Sequence, residues 1–414
     1  MAFLLERAND DRWRETLLLA AGAWSNGQQF PKTERLLDGL LQTGTPENLL
    51  LAADALADIG AVEELTPLRD TTTARLRALA ALTEDWRTAA HPDPVLRNRA
   101  ATMLDRLDAD TERPGLDLAK DDYWAARIEP GVFSMGDDHG NWDDEKPQFD
   151  YAIRRPFALA RFPVTNRQYL LFVEALAGRG TAKAVAAANR LKDLMKQHRQ
   201  KPDDFRPYYW PGARYRAGEG NHPVVGVTWY AATAFAWWVN AWLHDLGVLA
   251  KDEEVRLPTE AEWERAAAYP LALPEGDPRA GRREYPWGDW NDVTATPTGD
   301  IIVSIRANTY ESRIGGTSVV GIFPHGAAAC GAEELSGNVW EWCSTPVLDY
   351  PFKGEVSAEN IYTGNTDSVY VLRGGSWDLN RADAGCASRG ASPPVFDSGH
   401  SGFRVARLFS LSSS

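Results

Sequence analysis

Tyr370-Val-Leu-Arg-Gly-Gly-Ser-Trp377 and Gly402-Phe-Arg-Val-Ala406 frame the stretch that decides how this chain is read. Each is a short β-like run with an arginine among apolar residues, and the first breaks at a Gly-Gly pair. Gly337-Asn-Val-Trp-Glu-Trp342 is a third run of this kind. Between the first two lie Asp378-Leu-Asn-Arg-Ala-Asp-Ala-Gly-Cys386 and Gly390-Ala-Ser-Pro-Pro-Val-Phe-Asp-Ser-Gly-His-Ser401, which mix small, polar and turn-forming residues. Loops held between rigid anchors are where recognition usually resides.

Working outward, Arg256-Leu-Pro-Thr-Glu-Ala-Glu-Trp-Glu264 opens a helix, with Thr259 and Glu262 spaced as a capping box. Thr165 and Gln168 repeat that spacing before a helix whose inner face is Tyr169, Phe172, Val173 and Leu176. His222 to Thr228 reads as a strand ending in an N-cap, and the helix after it buries Phe235, Trp238, Val239 and Trp242. Ile128 to Gly136 carries a hairpin signal, Phe157 to Pro163 a short strand, and Tyr285-Pro-Trp-Gly-Asp289 an aromatic turn. A polar, Ala-rich helix over 181–199 and a loop to Asn221 read as a surface insertion spanning 178–220, with Trp210, Tyr208 and Tyr209 as its exposed aromatics. The acidic run Asp137-Asp138 with Asp143-Asp144-Glu145 reads as a solvated face. The fold class is α+β, two main helices on irregular antiparallel sheets, over residues 124–410.

Residues 1–112 have a different character. Apolar clusters recur at Trp13–Leu19, Leu36–Leu41, Leu49–Leu56, Leu76–Trp86 and Val95–Leu107, with breaks at Gly27, Gly44/Pro46, Gly60, Pro67 and residues 91–94. Short helices bury their stripes only by stacking, so an all-α domain follows, either a HEAT-like solenoid or a compact bundle. Residues 113–123, polar and Pro/Gly-containing, read as the linker.

Net charge is −14, which argues against binding nucleic acid or an anionic membrane. No run of apolar residues is long enough to span a bilayer, and no signal peptide is visible. Cys330, Cys343 and Cys386 form neither a paired framework nor a CxxC spacing, so a reduced, cytoplasmic setting is expected.

Eight motifs occur in order: Gly131–Gly136, Phe162–Tyr169, His222–Tyr230, Arg256–Glu264, Tyr285–Gly288, Leu335–Trp342, Leu372–Trp377 and Gly402–Arg407. Together they resemble the formylglycine-generating enzymes (sulfatase-modifying factors), a variant of the C-type lectin fold. The resemblance implies a copper-binding thiol pair, the first thiol three residues after the Gly-Gly-Ser and the second five later. Leu379 and Ala384 stand there, so no copper is expected, and Cys386 matches a non-catalytic cysteine of the family. The iron-dependent sulfoxide synthases of thiohistidine biosynthesis share the fold and use an H-x-x-x-E-H arrangement, which the seven histidines here do not make. For structural calcium the resemblance implies Glu334, Glu341 and the carbonyls of Gly337 and Val339, with a second site at Asn308 and Thr309.

The segment 378–401 is also similar to the variable region of proteins diversified by retroelements. The expected function is therefore a non-catalytic ligand-binding or display protein for a protein or cell-surface ligand. Its surface is drawn from Asp378, Asn380, Arg381, Asp383, Ser388, Gly390, Ser392, Val395, Phe396, Asp397, Ser398 and His400. The alternatives are an enzyme of the superfamily, oxidising as the formylglycine-generating enzymes or sulfoxide synthases do, with an unrecognised metal site, and a regulatory module of a NACHT-type signalling system. Residues 11–22 resemble the helical tail of NACHT-type signalling ATPases, which implies such an ATPase as a partner of residues 1–112, although the chain has no P-loop.

Overall fold

The computed structural model describes residues 1–8, 10–80, 82, 93–179, 181–183, 185–186, 205–290, 294–295, 301–302, 305–352 and 369–411. It divides into a unit of Met1–Thr111 with Ala217–Asn221, and a second of Glu112–Arg216 with His222–Ser414.

The first unit is helical: α1 Ala2–Leu5, α2 Asp11–Asn26, α3 Phe30–Gln42, α4 Pro46–Ile59, α5 Thr66–Leu79 and α6 Pro94–Arg106. Asp10, Thr45 and Asp93 cap α2, α4 and α6 through their side chains, and Gly60 ends α4 at φ +83°. α4 touches α2, α3, α5 and α6 and is buried from Asn48 to Leu56. Contacts between helices one and two places apart along the chain are common to stacked helical pairs and to a bundle. Pro67 sits in the first turn of α5, where its missing N–H costs nothing, so it starts a helix rather than breaking one. Beyond Leu82, the expected helix to Trp86 lies outside the described residues.

The second unit holds α7 Asn166–Leu176, α8 Trp229–Leu246 and α9 Glu260–Ala268. Its strands are β1 Gly131–Met135, β2 Phe149–Ile153, β3 Phe157–Leu159, β4 Glu254–Arg256, β5 Thr294–Ala295, β6 Ile301–Ile302, β7 Trp340–Pro346, β8 Tyr370–Arg373, β9 Arg389–Ser392, β10 Ser401–Gly402 and β11 Ala406–Leu408. The main sheet runs β10-β7-β8-β9; a second runs β3-β11-β4, and β1 pairs with β2. β10 lies parallel to β7, and the other neighbours in these sheets are antiparallel.

Both capping boxes form as the spacing predicts, at Thr165/Gln168 and Thr259/Glu262, and Thr228 caps α8. Tyr169 and Phe172 on α7 meet Phe235 and Trp238 on α8 in one aromatic core. Trp242 is only half-buried and stacks on Trp238. His222–Thr228 differs from expectation: it makes one bridge, Thr165 to Pro223, and no strand. Pro223 donates no ladder bond, and Gly226 turns the chain at φ +71°.

Residues 113–123 are docked rather than free. Leu116 packs with Phe162 and Val320, and Arg113 donates to the Val320 carbonyl at 2.7 Å. The predicted insertion also enters the core, because Phe205, Trp210 and Tyr215 are buried. Trp210 corrects the exposed reading: its indole N–H donates to Asn166 Oδ1 at 2.9 Å. Of the Ala-rich helix over 181–199, residues 184 and 187–199 lie outside the described residues.

Candidate functional site

The motif residues build a buried ionic frame. From α9, Glu264 accepts from Arg373 of β8, and Glu260 accepts from Arg389 of β9 at 2.6 Å. Arg373 also donates to the carbonyls of Ala387 and Ser388, which pins the middle of the 378–401 stretch. A second frame joins Arg404 to both oxygens of Glu341 at 2.7 Å, with the Trp263 indole donating to the same carboxylate at 2.8 Å. Such saturated charge pairs hold geometry more than they add stability.

On this frame the Gly374-Gly375 turn, with φ of +95° and +70°, launches the loop. Ser376 donates to Asp378 Oδ1 at 2.7 Å, while Asp378 Oδ2 accepts from His400 Nδ1 at 2.6 Å. The His400 ring stacks on Trp377 at 5.9 Å between centroids. Beginning and end of the loop therefore meet. Asn380 caps the turn Arg381–Ala384, and the Arg381 N–H donates to Glu311. The Tyr310 N–H donates to the Leu379 carbonyl at 2.8 Å, bringing Tyr310 and Glu311 to the loop. No sequence signal pointed to those two, because their approach is a backbone contact made across the fold.

The expected surface residues divide into two groups. Ser388, Ser392 and Ser398 are buried, and Ser398 uses its carbonyl to accept from Gly226. Gly390 lies on β9 against Trp340. Asp378, Asn380, Arg381, Asp383, Val395, Phe396, Asp397 and His400 reach solvent at least in part, with Val395 65% and Phe396 52% exposed. Tyr208 and Tyr209, 72% and 47% exposed, stand beside them: the Tyr208 N–H donates to Gly226, and Tyr209 lies against Gly399. Asp383 is raised above the usual carboxylate range by burial and by Glu311.

Cys330, Cys343 and Cys386 are buried, and burial pushes the Cys386 thiol up to about 12. Burial raises the thiols of Cys330 and Cys343 as well, which disfavours the thiolate that a cysteine nucleophile needs. Leu379 and Ala384 supply no thiol, and Ala384 is fully buried, its carbonyl accepting from Ser336.

The residues implied for calcium fit only in part. Both Glu341 oxygens are taken by Arg404 and Trp263. Asn308 Oδ1 accepts from Ser312, and its amide donates to Gly316 and Asn338. The Gly337 carbonyl accepts from the Val339 N–H, and Thr309 Oγ1 is buried without a partner. Glu334 holds the Gly321 N–H with one oxygen, its other oxygen is buried without a partner, and burial raises its carboxyl to about 8. Glu145, expected on a solvated face, is buried and raised to about 7, chiefly by burial. Among the described residues, no group of three or more His, Cys, Asp or Glu is placed to hold a metal ion.

A match to the sulfatase-modifying factor enzyme 1-like domain covers residues 123–409. The formylglycine-generating enzyme of Streptomyces coelicolor is 31% identical over 317 residues, 69% of this chain and 90% of that protein. Hercynine oxygenase of Mycobacterium tuberculosis is 32% identical over 255 residues, 58% of this chain and 49% of that protein. The chain thus spans about half the length of that relative. Among solved structures, Treponema denticola variable protein 1 aligns at 19% identity and a TM-score of 0.43, covering 68% of this chain and 94% of that one. Through residues 123–409 the chain belongs to the sulfatase-modifying factor family, with the C-type lectin fold of the formylglycine-generating enzymes.

Proposed function

We propose that the second unit is a binding module that presents the 378–401 loop and Tyr208-Tyr209 to a protein or cell-surface ligand, without the family's copper oxidation. The observation that carries this reading is the pair Leu379 and Ala384, apolar at the two thiol positions, on a frame whose arginine–glutamate pairs are intact. A fold that keeps its loop anchors while lacking its redox centre retains a surface rather than a reaction. Substituting Phe396, Asp397 and His400 together with alanine should abolish partner binding and leave the circular dichroism spectrum unchanged. Binding that survives this triple change would remove the assignment.

The exposed tip at Val395 and Phe396 also suits variation by a retroelement, since side chains there change without touching the core. A near-repeat of the codons for residues 374–404 beside a reverse transcriptase gene would support it. In this reading the helical unit is an adaptor, with a signalling ATPase as the partner to be tested by pull-down, in the cytoplasm.

A second reading, an oxidising enzyme, is favoured by the likeness to hercynine oxygenase and by the ordered Asp378–His400 pair. Metal analysis of the purified protein separates the two. Stoichiometric iron or copper favours the enzyme, whereas calcium bound at Glu334 would leave the binding reading intact.

A further inference from the structure

The connection between β1 and β2, residues 136–148, touches the 378–401 stretch at two points. The Asn141 amide donates to the Ala382 carbonyl at 3.4 Å, and Arg389 donates to the Asp144 carbonyl at 2.8 Å. The connection closes on itself, with the Asp137 N–H on the Glu145 carbonyl at 2.9 Å and the Gln148 N–H on Asp138 Oδ1 at 2.8 Å. At its centre Glu145, in the short turn Asp143–Glu145, is only 3% exposed. Gly140 makes room for it, because a Cβ there would stand on the Glu145 carboxylate.

The cations around Glu145 are engaged elsewhere. Lys146 pairs with Asp143, Arg282 with Asp137, Arg373 of β8 with Glu264, and Arg389 of β9 with Glu260. The Trp142 N–H reaches the Glu145 carboxylate only at 3.5 Å. Asp137 and Asp144 add like charge from the connection itself, and Glu264 of α9 holds its first residue through the Gly136 N–H. Tyr350, whose hydroxyl donates to Glu260, lies against Gly136, while Asp138 and His139 face solvent. An ionised Glu145 in this place is an interior anion among other acids with no cation of its own, and burial accordingly favours the protonated carboxyl.

We infer that residues 137–148 form a pH-sensitive strap over the 381–391 stretch, closed while Glu145 is protonated and released when Glu145 ionises and turns to water. Release loosens the hold of Asn141 on Ala382 and of Asp144 on Arg389. The inference stands apart from the binding-module reading, since it concerns the strap and not what the loop takes. Amide hydrogen exchange of the full chain tests it, with each rate divided by that of an unstructured chain at the same pH. The carboxyl is raised in the closed strap and ordinary in the open one. Opening should therefore grow by up to about tenfold per pH unit from about 4.5 to 7 and stay level beyond, read at the amides of Asp137, Gly140 and Gln148.

Glu145→Gln should keep the strap protected across the whole range, and His139→Asn should leave the native slope as it is. Loss of the slope in His139→Asn, or its survival in Glu145→Gln, overturns Glu145 as the sensor. Gly140→Ala crowds the carboxyl out of its place and should remove protection at the acid end as well. Unchanged protection there denies that the buried carboxyl closes the strap, which keeps the proposal open to refutation where Glu145→Gln does not fold. The strap amides should also exchange faster than those of Phe235 and Trp238 in the α8 core. Equal protection means that the strap opens only with the whole fold, and overturns it, as does exchange with no pH slope.

Discussion

At the scale of single residues, burial turns motif chemistry into ionisation behaviour. Glu145 lies within the β1–β2 connection, its carboxyl raised from 4.5 to about 7, mainly by burial, with the Trp142 N–H and Arg373 opposing. A carboxyl raised on folding stabilises most fully below its unfolded value. That contribution drains away as pH rises from about 4.5 through 7 and is constant beyond. Urea midpoints should therefore fall across this window for the native chain. Glu145→Gln, which cannot ionise, should remove that component of the slope; an unchanged slope would mean that Glu145 ionises freely in the folded protein.

At the scale of elements, the α9 start concentrates several local rules. Thr259 accepts from the Glu262 N–H, Glu262 accepts from the Thr259 N–H at 2.8 Å, and Arg256 forks onto Glu262 at 2.7 and 2.8 Å. The same helix turns Glu260, Trp263 and Glu264 inward to the two ionic frames, so its N-terminus sets their register. Thr259→Ala should cost about 1–2 kcal/mol in denaturant titration, since the cap is part-buried and reciprocal. Thr259→Ser should cost less because the hydroxyl remains. The α7 box at Thr165 is built alike, and Gln168 also donates to the Leu116 carbonyl at 2.7 Å, tying the segment after the helical unit to the second unit's own core.

At the scale of the whole molecule, Arg373 and Glu264 join β8, α9 and the turn at Gly136, whose N–H donates to Glu264 at 2.8 Å. Removing one charge strands the other in the interior. Arg373→Met should destabilise by about 3–5 kcal/mol. Arg373→Met with Glu264→Gln should recover part of that loss, and equal costs for the single and double variants would deny the coupling. Because Arg373 also holds the Ala387 and Ser388 carbonyls, the single variant should loosen the 378–401 loop, read as faster amide hydrogen exchange there.

Capping boxes, aromatic stripes and the Gly-Gly turn were legible as local devices whose partners lie within a few residues and pointed to the α+β class, whereas the C-type lectin fold was named by the resemblance of the eight ordered motifs. Leu379 and Ala384 were equally legible, since absence of a thiol needs no geometry. The docking of residues 113–123 and the burial of Trp210 were not legible, because each depends on which distant surface receives an apolar side chain. For the same reason Glu145 and Glu341 read as solvent-facing or metal-facing carboxylates, and only the folded chain placed one in the interior and the other under Arg404 and Trp263. The proposed binding surface divides along that line. Sequence marked 378–401 as loop between anchors, whereas the fold brought Tyr209, Tyr310 and Glu311 to it and turned Ser388, Ser392 and Ser398 inward. A loop's composition reports that it can turn; which of its side chains meet solvent is decided by the packing beneath it.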